Sequence, residues 1–310
     1  ACEICDDVSL GFVDVASANP LPITGATADV PHYLATVLHD GSRFLMYYMA
    51  GNAGAGVDHA VAESADGLQW TQVDAAAFGP ATTGKDYNYS ADVVFSADQY
   101  HLFVAGGPAS NGSDTDIYYG TSGTGLSFPS ASQAVASGSA TFDGRNIDQP
   151  VALWVDGTWH MLYATTPTSG NTSTIGYATS ANETTWTRRG EVMDLGTSYD
   201  SSALWPISLW VDDEGTKHLL YGGKSGSSTS IAHATSSDWL TWTRDMANPL
   251  AMASGGSAKA NGQLLPWHGG FIYYYNASGT CGPDCEIRVA RSMCTLDADG
   301  DGVADGGALF

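Results

Sequence analysis

The feature that most constrains this chain is a repeat. Four segments end in an aromatic residue at nearly constant spacing: "ESADGLQWTQ" at Trp70, "TSGTGLSFPS" at Phe128, "TSANETTWTR" at Trp186 and "TSSDWLTWTR" at Trp242. Subtraction gives intervals of 58, 58 and 56 residues. In three of the four, Ser is followed by Asp or Asn two residues on and by Trp six residues on: Ser64/Asp66/Trp70, Ser180/Asn182/Trp186 and Ser236/Asp238/Trp242. Upstream of these lie the short apolar runs "RFLMYY", "YHLFVAG", "WHMLYAT" and "KHLLYGG", and a fifth, "GGFIYYYN", precedes "EIRVARS". Self-similarity at a fixed period of this length marks a stack or ring of like supersecondary units.

Each unit reads as a buried strand, a tight turn signalled by "HDG", "VDG" or "DDEG", a second strand, a polar loop, a third strand, a turn and a fourth strand. Short strands in regular succession, with no helical periodicity, argue for radial β-sheet blades. The expected fold is all-β, a five-bladed β-propeller of four-stranded antiparallel blades. The blade cores fall near 34–73, 91–131, 147–192, 203–248 and 258–294. The N-terminal "VSLGFVDV" is expected to pair into the last blade and close the ring. On this reading residues 1–296 form the propeller and 297–310 an acidic tail. The recurring Trp fills the gap between neighbouring blades, and the Ser and Asp/Asn cap the turn before it through side chain to backbone bonds.

Charge narrows the partners. Against 33 Asp and Glu stand only 11 Lys and Arg, a formal net charge of -22. Nucleic acid and anionic membrane surfaces are poor partners for such a surface. No stretch approaches the ~20 apolar residues of a membrane helix. The first residues show no signal-peptide pattern, and one expectation for the starting "ACEIC" is a mature end after processing. The five cysteines cluster at the two ends, Cys2 and Cys5 against Cys281, Cys285 and Cys294. Disulfides joining the ends, in a secreted or cell-surface setting, are one reading. A zinc site built from "CEIC" and "CGPDC" is the other, and lipid modification of Cys2 is a further possibility.

In a propeller the first strand of each blade lines the central channel, so residues where those strands begin converge on one pocket. Asp148, in "NIDQPVALWVDG", stands eight residues before the turn residue Asp156. The same count reaches His32, Ser90, Leu204 and Asn261 in the other blades. Asp29, Tyr87, Tyr89, Asp92, Arg145, Gln149, Asp200, Trp205 and Lys259 lie nearby. Carboxylates, aromatics and a few cations around one cavity suit a carbohydrate, bound by aromatic faces and paired polar groups.

At this point the chain resembles the five-bladed glycoside hydrolases of the arabinanase/β-xylosidase and invertase type, on its five blades, its "S-x-D-G-x-x-W" turn and "IDQPVALWVDGTWHMLY". In the arabinanase group a blade-one Asp is the general base, a blade-three Asp in an "IDP" context tunes the acid, and a blade-four Glu in "EGP" or "EAP" is the acid. The resemblance implies Asp29 in "ADVP" as base and Asp148 in "IDQP", with one inserted residue, as the tuning carboxylate. It implies Asp92 in "SADVV" as a residue lining the site. Blade four departs from the pattern: it reads "SSALWPISLW", and none of the six glutamates falls at a channel mouth. Glycosidic cleavage needs a proton donor as well as a base or nucleophile, and Asp200, or His32 by rearrangement, is the candidate left.

The expected catalytic residues are therefore Asp29, Asp148 and Asp200. His32, Tyr87, Asp92, Arg145, Gln149, Trp205 and Lys259 are expected to bind substrate. A secreted propeller that hydrolyses an oligo- or polysaccharide is the first expectation; a non-catalytic glycan-binding or surface-assembly module is the second. A sialidase is disfavoured, since its Asp boxes are one residue longer and it needs six blades and an arginine triad. His101, His160 and His218 share one second-strand position and read as repeat packing rather than metal ligands. No P-loop, dinucleotide fingerprint or nucleophile elbow is present. The C-terminal "LDADGDGVADGG" sets Asp297, Asp299, Asp301 and Asp305 around Gly302, a pattern of alternate carboxylates that suits calcium. It resembles the calcium repeats of thrombospondin type 3 and dockerins, which implies a cell-surface or extracellular assembly partner. Five N-x-S/T sequons, at Asn88, Asn111, Asn171, Asn182 and Asn276, have meaning only in a glycosylating host.

Overall fold

The computed structural model describes residues 8, 11–26, 32–50, 58–108, 114–138, 142–144, 146–166, 172–251, 262–267, 270–276 and 286–292. They form five sheets. The innermost strands are His32–His39, Tyr87–Ser96, Asn146–Val155, Ala203–Val211 and Gly262–Trp267. Each of these five touches the inner strand of the blade on either side, and the last touches the first, so they close a ring. From each inner strand the chain runs outward through antiparallel neighbours, as in Asn146–Val155, Thr158–Thr166, Thr174–Ser180 and Thr187–Met193 of blade three. This is the five-bladed β-propeller read from the repeat. Blade one gains a fifth, parallel strand, Ile23–Thr24 against Trp70–Thr71.

The ring closes as expected from the N-terminal strand. Phe12–Asp14 pairs antiparallel with Ala290–Ser292 and supplies the outer strand of blade five. Asn19 extends the seam, its side chain donating to the Val289 carbonyl (2.8 Å) and accepting the Val289 N–H (2.7 Å). All five cysteines, and the acidic tail with Asp297, Asp299, Asp301 and Asp305, lie outside the described residues.

The core is divided among the junctions between blades, one apolar cluster to each. The repeated aromatic serves the junction with the preceding blade. Trp70 meets Tyr274 of blade five edge-on at 5.9 Å, and Trp186 meets Phe103 of blade two at 5.8 Å. The turn before each Trp is capped as the sequence suggested. Ser64 Oγ accepts the Gly67 N–H (2.9 Å), and Asp66 Oδ1 accepts the N–H groups of Leu68 and Gln69 (2.8 Å each). The Trp70 indole donates back to the Gly67 carbonyl (3.1 Å). Ser236, Asp238 and Trp242 repeat these bonds in blade four.

The second-strand histidines also obey the repeat. His101 bonds Tyr119 Oη (2.8 Å), His160 bonds Tyr177 Oη (2.7 Å), and His218 bonds His233 (3.1 Å), each partner standing at a matching place on the third strand. Among the sequons, Asn88 and Asn276 are buried and Asn182 caps its turn through the Thr185 N–H.

Two features of the inner strands position the cavity. Those of blades one to four each carry a β-bulge, at Leu34/Thr36, Asn88/Ala91, Asp148/Val151 and Pro206/Ser208. A bulge bends its strand and re-aims the side chains beside it. The hairpins also correct the alignment of blade two. Ser96 pairs with Gln99 around Ala97 and Asp98, while Val155 pairs with Thr158 around Asp156 and Gly157. Asp98 thus holds the second turn position and Asp156 the first, so the register counterpart of Asp148 is Tyr89, not Ser90.

Candidate active site

A cavity of about 250 Å³ opens where the inner strands meet. Every blade contributes to its lining, with Tyr33, Tyr89, Asp148, Trp205 and Gln263 as one representative from each. Only a space on the propeller axis can satisfy that condition.

Its floor is a layer of polar groups that tie blade to blade. The Thr36 hydroxyl donates to Asp92 Oδ1 (3.1 Å) and lies 3.4 Å from Gln263 Oε1. Asp92 Oδ2 accepts the Ala152 N–H (2.9 Å), and Ser208 Oγ accepts the Leu264 N–H (2.7 Å). Asn276 joins blade five to blade one, accepting the Leu34 N–H (3.0 Å) and donating to the His32 carbonyl (2.9 Å). Asp92 therefore lines the cavity with both oxygens already engaged. Burial pushes its pKa up to about 6, against the pull of its hydrogen bonds with the Ala152 N–H and Thr36.

Asp148 lines the same cavity at the bulge of blade three. Its Oδ1 accepts the Gln149 N–H (2.7 Å) and a short hydrogen bond from the Ser90 hydroxyl of blade two. Ser90 Oγ in turn accepts the same Gln149 N–H (2.7 Å). Burial raises the Asp148 pKa, and the Ser90 hydroxyl and the Gln149 N–H offset part of that rise. A carboxyl whose pKa is raised by burial is a candidate for general acid–base chemistry.

Aromatic side chains line the same cavity. Tyr87 and Tyr89, two residues apart on one strand and so on one face, lie with ring planes 20° apart at 6.1 Å. The backbone carbonyl of Tyr89 bonds His59 Nε2 (3.1 Å). That histidine is fully buried against Phe78 and has its pKa pushed down to about 4 by desolvation, so the neutral ring donates the bond at neutral pH. Trp205 lies over Gly222, its partner on the next strand, where a β-carbon would come within 2.1 Å of the indole. Residue 222 must be glycine for the ring to occupy that place.

The cavity thus brings together Tyr87, Asp92, Asp148, Gln149 and Trp205 of the expected site residues. It does not include His32, whose ring packs edge-on against Tyr48 at 5.2 Å. Nor does it include Asp200. That carboxylate is buried and receives the Arg244 guanidinium (2.7 Å) and, at 3.4 Å, the Tyr221 hydroxyl. Blade three has the same device, a buried Asp143 paired with Arg188 (2.6 Å). In both blades the Asp lies three residues before the inner strand and the Arg two residues after the Trp. Asp200 belongs to the repeat and locks its blade. Asp29, Arg145 and Lys259 lie outside the described residues.

Tyr33, Gln263 and Asn276 line the cavity without having been expected as site residues. Tyr33 and Gln263 each fall at the second residue of an inner strand, a position that counting from the turn did not weigh. No described glutamate lines the cavity. At the blade-four position Leu204 is buried in the junction with blade three, and Trp205 and Pro206 face the space.

No known family profile matches the chain. Over 241 residues it is 26% identical to a probable arabinan endo-1,5-alpha-L-arabinosidase C from Aspergillus niger, covering 72% of this chain and 73% of the relative. Among solved structures, a thermostable family-43 glycoside hydrolase superposes with a TM-score of 0.66 at 17% identity, covering 87% of this chain and 91% of that one. An endo-1,4-beta-xylanase from Bacteroides thetaiotaomicron gives 0.65 at 17% identity, with 86% and 94% covered. A beta-1,2-mannobiose phosphorylase from Listeria innocua gives 0.65 at 12% identity, with 88% and 94% covered. The chain is thus a five-bladed β-propeller of the same fold as these carbohydrate-active enzymes.

Proposed function

We propose that this protein acts on an oligo- or polysaccharide at the axial cavity, as a glycoside hydrolase in which Asp148 is the working carboxyl of the described site. One observation carries the reading: a desolvated carboxyl with a raised pKa and aromatic side chains line one space to which every blade contributes. Aromatic rings cover the apolar faces of a sugar, while convergent polar groups fix its hydroxyls. At about 250 Å³ the cavity lies below the ~300–1,000 Å³ of drug-sized pockets. Asp29 remains the proposed base, on the resemblance of "ADVP". The names of the relatives agree with a glycan as substrate.

A second reading has its own observation. Where the resemblance places a proton-donating Glu, the chain has buried Leu204 and the aromatic Trp205. A cavity walled in this way could hold a glycan without cleaving it. A panel of arabino-, xylo-, fructo- and galacto-oligosaccharides, followed by calorimetry and by product analysis, separates the two. Turnover of any member supports the hydrolase, and binding with no product supports the module. A panel in which nothing binds and nothing is cleaved removes the glycan reading altogether.

A further inference from the structure

We infer that Gln149, the residue inserted in "IDQP", is the cavity's hydroxyl-reading side chain and determines which sugar it accepts. This rests on the axial cavity being a glycan site. Three observations lead to it. Gln149 has φ +49°, in the left-handed region that β-carbons disfavour. The other described non-glycine residues with positive φ are Ala97, Asp98, Asp114, Asp156, Glu183 and Trp239, and all of them lie between strands. Gln149 alone among them lies inside one. It is held there because its N–H is gripped by Ser90 Oγ and Asp148 Oδ1 (2.7 Å each), across the junction of blades two and three.

The second observation is the side chain. It lines the cavity, is partly buried, and its amide makes no hydrogen bond among the described residues. The third is the contrast with Asp92 and Asn276, two polar lining groups that are spent on ties between blades. Gln149 therefore brings a donor and an acceptor to the wall, beside Asp148, with no structural partner for either. Strained backbone persists where the surroundings enforce it, and it gathers at sites of function. An amide that both donates and accepts can read a hydroxyl pair, and a site built to bond a hydroxyl rejects sugars that present it wrongly.

The test is Gln149→Gly, examined by thermal melting and by calorimetric titration with the same oligosaccharide panel. Glycine accepts this backbone without strain and removes the amide. The expected result is a melting temperature at or above that of the native chain. Affinity for the best-bound sugar should fall about tenfold, as for one or two lost hydrogen bonds, and the spread of affinities across the panel should narrow. Unchanged affinity and unchanged preference would overturn the inference while leaving the glycan site standing. If the glycine variant melts lower, Gln149→Asn decides. Asn tolerates left-handed backbone and keeps a shorter amide, so weakened binding at native stability supports the role and native binding refutes it. If the native chain binds no member of the panel, the glycan reading falls first and this inference with it.

Discussion

Asp148→Asn is expected to lower turnover of any cleaved oligosaccharide by about 10²–10⁴-fold, the range for loss of a positioned acid–base group, while leaving the melting temperature unchanged. The physical case is that Asn preserves the structure and removes only the titration. Its carbonyl oxygen can still accept from the Ser90 hydroxyl and the Gln149 N–H, so the tie between blades two and three survives. The proton that Asp148 can hold or release does not. Burial raises the pKa of this carboxyl. If the ionised form is the working one, native turnover falls as pH drops through a value above the ~3.9 of a free aspartate, and this acid limb is missing from the residual activity of the variant. Steady-state rates across pH, with melting curves on both proteins, check each part.

Arg244→Ala should behave in the opposite way, with a large loss of stability. Asp200 is almost completely buried and its carboxylate meets Arg244 at 2.7 Å. The fit is tight: a β-carbon at Gly196 would come within 2.0 Å of the carboxylate oxygen, and one at Gly223 within 2.8 Å of the Asp200 β-carbon. Removing Arg244 strands the buried Asp200 carboxylate. Because Arg244 is itself 32% exposed and solvent screens part of the loss, the expected cost is up to about 3 kcal/mol, the low end for breaking a buried pair, and denaturant unfolding measures it. Adding Asp200→Asn to Arg244→Ala should restore part of the loss, because the stranded charge is gone. A catalytic Asp200 would give the reverse pattern, with Asp200→Asn ending turnover at native stability.

These two aspartates show how much of the site was legible in the sequence. The blades were readable because Trp70, Trp186 and Trp242 recur with their Ser and Asp/Asn caps, and each does the same packing work. Asp148 was readable as a departure from that repeat. Asp200 is offered by the sequence only as the candidate proton donor left in blade four, although Asp143 and Arg188 duplicate its partnership one blade earlier. Spacing shows a carboxylate and an arginine 44 residues apart, but not that the loop before a blade's first strand meets its last strand. Counting from the turn also slipped by one residue in blade two, because a two-residue hairpin accepts Asp at either place. The bulges were invisible for a related reason. A bulge is a mismatch of register between two strands, and Gln149 owes its conformation to Ser90 on a different blade.

The central claim is that a sugar occupies the axial cavity, and the most direct measurement is where one binds. A crystal grown with a saturating oligosaccharide from the panel should show a sugar ring against Trp205 or the Tyr87–Tyr89 pair, within hydrogen-bonding distance of Asp148 and Gln149. A sugar bound elsewhere on the propeller, with the cavity empty, would contradict the account.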